Sequence, residues 1–374
     1  MENLENINKI STYQVILLII IYRVTIAFTY LPVVNIPPGN QDIWITLLMS
    51  IPYTILLCVP LLYLGNKFSD YTLIEYTEKI SGKIAGKVIS IYYTGFLLLL
   101  SIINVATLVE ILNSALFPET PTWITTIIML ITCVYIAYKG LKSIARGGEI
   151  FVPFILGVIL LFIILGYNNY DFTVLLPVLK DSTFKELNIG AIDSGIKFSD
   201  IIILAMIPPY LERKEDLNKI YIKSIIYSIF IIILLVVATQ AALGIEYAKH
   251  TNFPFFTFNR LINLYDFIQR IDVLSVVGWI TGNVGKITGY LYFTSVAFSQ
   301  TFDKNDNRPY IIPIAGIVFI ATLLIKDRRS ILSVGKVLQK TILITSTIAL
   351  FVLPTITLVI YLFRKDKISN TNND

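Results

Sequence analysis

Long apolar segments recur along almost the whole chain between Ile10 and Phe363. Each runs for about twenty residues with almost no charge, which matches the roughly 30 Å hydrocarbon core of a bilayer at about 1.5 Å rise per residue. Of the 374 residues, 55% are hydrophobic and 15% are charged, and the mean hydropathy is +0.74. Too few polar side chains remain to cover a water-soluble globule. We therefore predict an all-α integral membrane protein that crosses the bilayer many times.

Ten segments are predicted to cross the membrane. A polar stretch between the fifth and sixth segments, from Asp171 to Glu186, separates the first five from the last five. The predicted bounds are 12–31, 43–64, 84–112, 123–138, 150–166, 192–210, 220–243, 273–299, 310–325 and 337–363.

The basic residues predict the orientation of these spans. If the N-terminus is cytoplasmic, lysine and arginine concentrate in the even-numbered loops, and the first and third loops, 32–42 and 113–122, contain neither residue. This asymmetry places both termini inside. The loop 326–340 disagrees, because it carries five basic residues on the side predicted to be external. Either the rule fails there or the last two spans are miscounted, and we keep ten spans.

The first span of each half is irregular. The first carries Arg23 near its centre and ends at a proline, and the sixth is interrupted by Pro208 and Pro209. Interrupted segments at corresponding positions are typical of inverted-repeat transporters, whose binding site lies near the bilayer midplane. We expect one polytopic membrane domain with about ten transmembrane helices in a five-plus-five inverted repeat, the repeats covering about 10–166 and 192–363.

Ionisable side chains within the apolar segments are the main indication of a site. Arg23 lies deep in the first span, where a charge costs at least about 2.5 kcal/mol. Asp200 lies in the sixth span, and Lys286 lies in the eighth, one turn after Asn283. We expect these groups to line one central polar cavity, with Arg23 beside Asp200. The alternative is structural: Arg23 and Lys286 would pair with Asp200 or with freed backbone carbonyls.

Other charged residues have simpler interpretations. Asp193 and Lys197 share a helix face with Asp200 at spacings i, i+4 and i+7. They either belong to the site or form an ordinary ion pair in the outer headgroup layer. Glu110, near the outer end of the third span, is expected at the membrane interface.

Several function classes are disfavoured. The net charge of +5 comes from short basic clusters between spans, which argues for membrane orientation and against a nucleic-acid partner. The sequence lacks a Ser/His/Asp set, paired catalytic carboxylates and a phosphate-binding glycine loop, so an enzyme is not predicted. Cys58 and Cys133 lie in apolar runs, and His250 is the only histidine. No cofactor and no metal site are expected.

The stretch after the seventh span differs in kind from the rest. Apolar residues recur there at intervals of three and four, which predicts an amphipathic helix on the outer face after a proline. Such a helix is either a lid over the mouth of the cavity or a membrane-surface anchor. The apolar residues are Phe258, Leu261, Ile262, Tyr265 and Ile268.

The same stretch and the residues that follow it, FPFFTFNRLINLYDFIQRIDVLSVVGWITGNVGKI, resemble the signature of the spore germination permease family. These proteins are the B subunits of endospore germinant receptors, within the amino acid/polyamine/organocation superfamily. Further matches are KISTYQ, KGLKSIARGGEIFVP and PPYLERKEDLNK. The resemblance covers Lys9 to Phe363. It implies a fold like that of amino acid permeases, in which unwound first and sixth helices hold a small molecule with help from spans three and eight.

One departure from the superfamily concerns the first helix. Where its transporters commonly have a glycine pair, this chain has YRVTIAFTY. We expect Arg23 to replace exposed backbone dipoles by binding a carboxylate with its guanidinium fork. The candidate ligand-binding residues are Tyr22, Arg23, Thr25, Asn104, Thr107, Ser199, Asp200, Asn283 and Lys286.

Three functions remain open. The resemblance implies a sensor in the spore inner membrane or cell membrane that binds a small-molecule germinant, an amino acid in our interpretation, and signals to A-type and C-type receptor subunits. The second function is a proton- or cation-coupled amino acid transporter, with Asp200 or Lys286 as the coupling site. The third is a scaffold that only makes protein contacts.

Overall fold

A computed structural model of the chain describes residues 9–29, 37–251, 253–262, 272–325 and 340–370. Throughout these residues the structure is helical apart from loops and one isolated parallel bridge between Ile10 and Leu211. The all-α prediction is confirmed. The α-helices in chain order are α1 (Thr12–Thr29), α2 (Ile43–Lys67), α3 (Leu73–Ser81), α4 (Lys83–Ala115), α5 (Thr122–Tyr138), α6 (Leu141–Leu165), α7 (Phe184–Lys197), α8 (Leu217–Leu243), α9 (Ile245–His250), α10 (Pro254–Leu261), α11 (Asp272–Thr301), α12 (Arg308–Leu324) and α13 (Leu353–Asn370).

Shorter helical pieces add to this set, and residues 340–347 are also α-helical. A π-helical turn, Ile348–Val352, directly precedes α13. The 3₁₀-helices cover Gly166–Asn169, Phe172–Leu175, Ser199–Met206, Pro208–Tyr210 and Lys214–Asp216.

Five helical segments are long and apolar enough by length and composition to cross a membrane: Ile43–Lys67, Lys83–Ser114, Leu141–Asn169, Lys214–Leu243 and Lys340–Lys365. The helices at the predicted first, fourth and ninth spans are apolar but shorter, and those at the sixth and eighth carry the polar residues of the candidate site. Each predicted span contains helix. The fifth begins at Leu141 and not at Ile150, because its basic first turns continue the same helix.

The first span is one continuous α-helix as far as Thr29. The resemblance implies that this helix is unwound, and that prediction is wrong within the described residues. The run YRVTIAFTY contains no glycine, so nothing in it lowers the free-energy cost of leaving the helix.

Loops predicted to share one side of the membrane contact one another. On the side predicted to be cytoplasmic, the contacts are an ion pair between Lys87 and Asp303 (2.8 Å), an ion pair between Lys214 and Asp70, and a hydrogen bond from the Thr12 hydroxyl to Asp216 (2.7 Å). These contacts fit an alternating topology. Placement of both termini inside stays a prediction, and residues 326–339 of the dissenting loop lie outside the described residues.

On the opposite side, a hydrogen-bond network around Asp42 joins two loops. This buried carboxylate accepts hydrogen bonds from the Leu179 backbone N–H (2.9 Å) and the Ser182 hydroxyl (2.6 Å). The loop before α2 is thereby joined to the loop before α7.

Helix α10 also packs on this side, against α1, α8 and α11. Phe258 is fully buried, and its ring stacks on Tyr170 with centroids 5.9 Å apart. Ile262 is buried as well, whereas Leu261 is 44% exposed. In the described part of the predicted amphipathic helix, Phe258 and Ile262 therefore pack into the protein, whereas Leu261 does not. The predicted residues Tyr265 and Ile268 lie outside the described residues.

Candidate ligand site at the break in the sixth span

The sixth span breaks inside the helix bundle. Helix α7 ends at Lys197, and after Phe198 the chain continues as the 3₁₀-helix Ser199–Met206, every residue of which is buried. We predicted the interruption at Pro208 and Pro209, but it begins earlier. Ser199 and Asp200 belong to the residue types whose short polar side chains compete with helical hydrogen bonds. A stretch of 3₁₀-helix inside a span is typical of a functional hinge.

Asp200 lies at this break and pairs with α11. The Lys286 ammonium nitrogen is 3.3 Å from Asp200 Oδ1, and the Tyr290 hydroxyl donates a hydrogen bond to the same oxygen. Lys286 and Tyr290 are spaced i, i+4, so both lie on one face of α11. All three side chains are buried. Asp200 Oδ2 is buried without a hydrogen-bond partner in the described parts of the chain.

Arg23 reaches the same break from α1. Its Nη1 donates a hydrogen bond to the Lys197 carbonyl oxygen at 3.0 Å, and its guanidinium carbon lies 4.8 Å from the centroid of the Phe198 ring. It thereby satisfies a carbonyl at the C-terminus of α7, which has no partner within its own helix. Among the described residues, the ion-pair partner of Asp200 within 4.0 Å is Lys286, so the prediction that Arg23 takes this role is wrong. The contacts match the structural alternative instead, in which Lys286 pairs with Asp200 and Arg23 bonds a freed backbone carbonyl.

Tyr22, next to Arg23 on α1, contacts Tyr290 on α11. Its ring stacks on Tyr290 with centroids 5.6 Å apart, while its hydroxyl, like Arg23 Nε, is buried and has no hydrogen-bond partner among the described residues. The approach of α1 to α11 is close, because a Cβ at Gly289 would lie 1.4 Å from the Tyr22 hydroxyl oxygen. We call Tyr22, Arg23, Asp200, Lys286 and Tyr290 the central cluster.

The other candidate residues lie at different distances from this cluster. Ser199 is buried next to Asp200, and Asn283 lies one turn before Lys286 and donates to the Trp279 carbonyl at 2.9 Å. The buried Thr25 hydroxyl donates to the Ile21 carbonyl of its own helix at 2.8 Å.

The two candidates on the third span are not joined to the central cluster by the contacts that the structure records. Asn104 is half-buried and bonds the Leu100 carbonyl of its own helix at 2.7 Å, and Thr107 is exposed. Their part in ligand binding stays a prediction. The interpretation of Asp193 and Lys197 as a local ion pair is supported, because Nζ and Oδ2 are 2.7 Å apart and both side chains are partly exposed.

Sequence analysis missed Phe198 and Tyr290. The signal for Tyr290 was available, since it follows Lys286 by one helical turn. Phe198 had no signal of its own, because its role depends on where α7 ends. In the described residues no group of three or more His, Cys, Asp and Glu side chains is arranged to hold a metal ion.

Comparison with known proteins identifies the family. The profile of the spore germination protein family matches residues 9–331, most of the chain. The chain belongs to this family. Spore germination protein KB of Bacillus subtilis (strain 168) is 24% identical over 84% of each chain, and Spore germination protein YndE of the same organism is 24% identical over 96% of this chain and 98% of its own. Spore germination protein XB of Bacillus anthracis is 25% identical over 77% of this chain and 81% of its own.

A solved structure shares the fold of this spore germination family member. It is a Na⁺-coupled sialic acid symporter in a substrate-bound outward-open state, with a TM-score of 0.65, 13% identity, and coverage of 93% of this chain and 80% of the symporter. The transporter fold and the multi-pass membrane location expected from the sequence are thus confirmed. At this identity the likeness concerns the fold alone.

Proposed function

We propose that this chain is the membrane-embedded subunit of a spore germinant receptor that binds a small molecule, and that the molecule is an amino acid. Membership of the spore germination protein family supports the receptor role. The observation that carries the proposal of an amino acid ligand is the unused hydrogen-bonding capacity of the central cluster.

The unused capacity consists of donors at one place and an acceptor at another. Arg23 Nε and the Tyr22 hydroxyl are buried donors without partners, and Asp200 Oδ2 is a buried acceptor without one, within the described residues. Leaving such groups unpaired is costly, so a ligand that pairs with them gains affinity. A guanidinium suits a carboxylate, and a carboxylate suits an ammonium group. An α-amino acid carries both groups on one carbon atom.

The same contacts suggest how binding is signalled. A ligand ammonium at Asp200 competes with Lys286 on α11, and a ligand carboxylate at Arg23 competes with the Lys197 carbonyl at the end of α7. Binding therefore changes the forces between the broken sixth span and its neighbours. We propose that A-type and C-type receptor subunits in the spore inner membrane respond to this change.

A thermal-stability screen of the purified protein against amino acids, sugars and nucleosides tests the ligand class. An amino acid at about a hundred times its dissociation constant is expected to stabilise the protein by about 2.7 kcal/mol. Arg23→Met is expected to abolish the shift in melting temperature, while Lys197→Met, which removes a partly exposed cation one turn from Asp200, retains it. Stabilisation by sugars or nucleosides alone, or a full shift in Arg23→Met, would contradict the proposal.

The second candidate function is a proton- or cation-coupled amino acid transporter. The buried Lys286 and Asp200 pair favours it, because intramembrane ionisable groups often mark ion pathways. Proteoliposomes separate the two functions. Accumulation of a bound amino acid against its gradient, driven by a proton or sodium gradient, indicates transport, whereas binding without accumulation indicates sensing.

A further inference from the structure

Asn259 on α10 is a buried polar side chain that the central cluster does not use. It is 1% exposed, and neither its amide nitrogen nor its amide oxygen has a hydrogen-bond partner in the described chain. Burial of a carboxamide without partners is unfavourable, and an apolar residue would fill the same space without that cost. An asparagine here therefore needs a state in which its amide is paired.

The position of α10 indicates where that pairing occurs. The helix packs against α1 and α11, which carry Arg23 and Lys286, and also against α8. The buried ring of Phe258 packs on Tyr170 and Gly166. A Cβ at Gly166 would lie 2.4 Å from the Phe258 ring, so this glycine allows the close fit. Asn259 is thus a buried residue of a helix that contacts both of these helices of the central cluster, α1 and α11.

A second unpaired group lies on α11. Trp279 is 1% exposed, and its indole N–H has no partner within the described residues. The ring of Phe256, one turn before Asn259 on α10, meets the Trp279 ring edge-on with centroids 5.7 Å apart. Among the described residues, each helix of the contact between α10 and α11 therefore carries a buried polar group without a partner, Asn259 on α10 and Trp279 on α11.

Trp279 extends the polar face of α11 outward from the central cluster. Trp279, Asn283, Lys286 and Tyr290 are spaced i, i+4, i+7 and i+11, which is one face of a helix. Trp279 lies about 10 Å from Lys286 along the axis at about 1.5 Å rise per residue. Lys286 and Tyr290, which contact Asp200, are at the inner end of this face, and Trp279, which contacts Phe256 of α10, is at the outer end.

We propose that Asn259 and the Trp279 indole form an uncharged hydrogen-bonding subsite that receives the side chain of the bound amino acid. The inference rests on the proposed function and narrows the class of amino acid that the protein binds. A carboxamide offers two donors and one acceptor, so it pairs with a neutral side chain that both donates and accepts, such as a carboxamide or a hydroxyl. The receptor is selective for amino acids with uncharged polar side chains over apolar amino acids of the same shape, because an apolar side chain leaves Asn259 unpaired.

Two pairs of ligands and two variants test this selectivity. L-glutamine is compared with L-methionine and L-threonine with L-valine, with affinities obtained from the ligand dependence of the melting temperature. In the wild-type protein the polar member of at least one pair is expected to bind roughly tenfold more tightly. Asn259→Leu is expected to remove the preference and to raise the melting temperature without ligand. Asn259→Ala provides the same test if leucine prevents folding.

The matched control is Thr77→Val on α3, which also removes a buried, unpaired polar atom but lies near the opposite end of the bundle. It is expected to keep the wild-type preference. Preference for the apolar ligands in the wild-type protein, or an unchanged preference in both Asn259 variants, would overturn this inference and leave the proposed function standing. Absence of binding by every common amino acid would overturn both.

Discussion

Lys286 and Asp200 are buried opposite charges on different helices, 3.3 Å apart. In such pairs the attraction offsets the loss of hydration, whereas removal of one partner leaves a buried charge at a cost of about 3–5 kcal/mol. Replacement of both partners by neutral groups is much less costly. The stability of the pair is therefore a property of the two residues together.

Three variants measure this coupling. Lys286→Met and Asp200→Asn are each expected to lower the melting temperature in detergent strongly, and the double variant is expected to recover most of the loss. Lys197→Met is the control, because its partly exposed ion pair is worth about 1 kcal/mol or less. Additive losses in the double variant would show that the two residues are not coupled.

At the scale of the elements, the contact between α1 and α11 depends on Gly289. Gly289→Ala is expected to destabilise the protein by about 1–3 kcal/mol, as is usual for overpacking. On the same helix, a Cβ at Gly285 would lie at an ordinary 3.7 Å from Ile21 Cδ1. Gly285→Ala is therefore expected to be neutral or stabilising. Equal melting temperatures for the two variants would contradict this packing.

Helix α10 gives a second prediction at this scale. Phe258→Ser removes a fully buried ring from the contact of α10 with Gly166 and Tyr170, so it is expected to weaken ligand response more than it lowers abundance. Leu261→Ser changes a neighbouring exposed residue and is expected to have little effect. An unchanged response in Phe258→Ser at normal abundance would exclude a lid role for α10.

At the scale of the whole molecule, the helical spans could be predicted because apolar length and loop charge are local properties of a membrane sequence. The break at Phe198 could not, since the visible signal was the proline pair further along, and the 3₁₀ segment depends on its burial among neighbouring helices. Arg23 and Asp200 were correctly brought to one place. For the partner of Arg23 the sequence left two alternatives open, Asp200 or a freed backbone carbonyl, because the reach of a long side chain depends on where the next helix ends.

The membrane topology is also a property of the whole molecule. Reporters fused after Lys365 and within 79–87 are expected to read cytoplasmic, and a reporter within 37–41 is expected to read external. The contacts between loops on each side fit this alternation, and the loop charges predict which side is cytoplasmic. An external signal at Lys365 together with a cytoplasmic signal within 79–87 would contradict it, because Arg364 bonds the Ile80 carbonyl at 3.1 Å.

The central claim is that the cluster at the break in the sixth span binds an amino acid. A structure of the protein with a stabilising amino acid tests this most directly. The ligand carboxylate is expected within hydrogen-bonding distance of Arg23 Nε and the Tyr22 hydroxyl, and its ammonium group at Asp200 Oδ2. A ligand bound elsewhere, with Arg23 still bonded to the Lys197 carbonyl and Lys286 still paired with Asp200, would contradict the account.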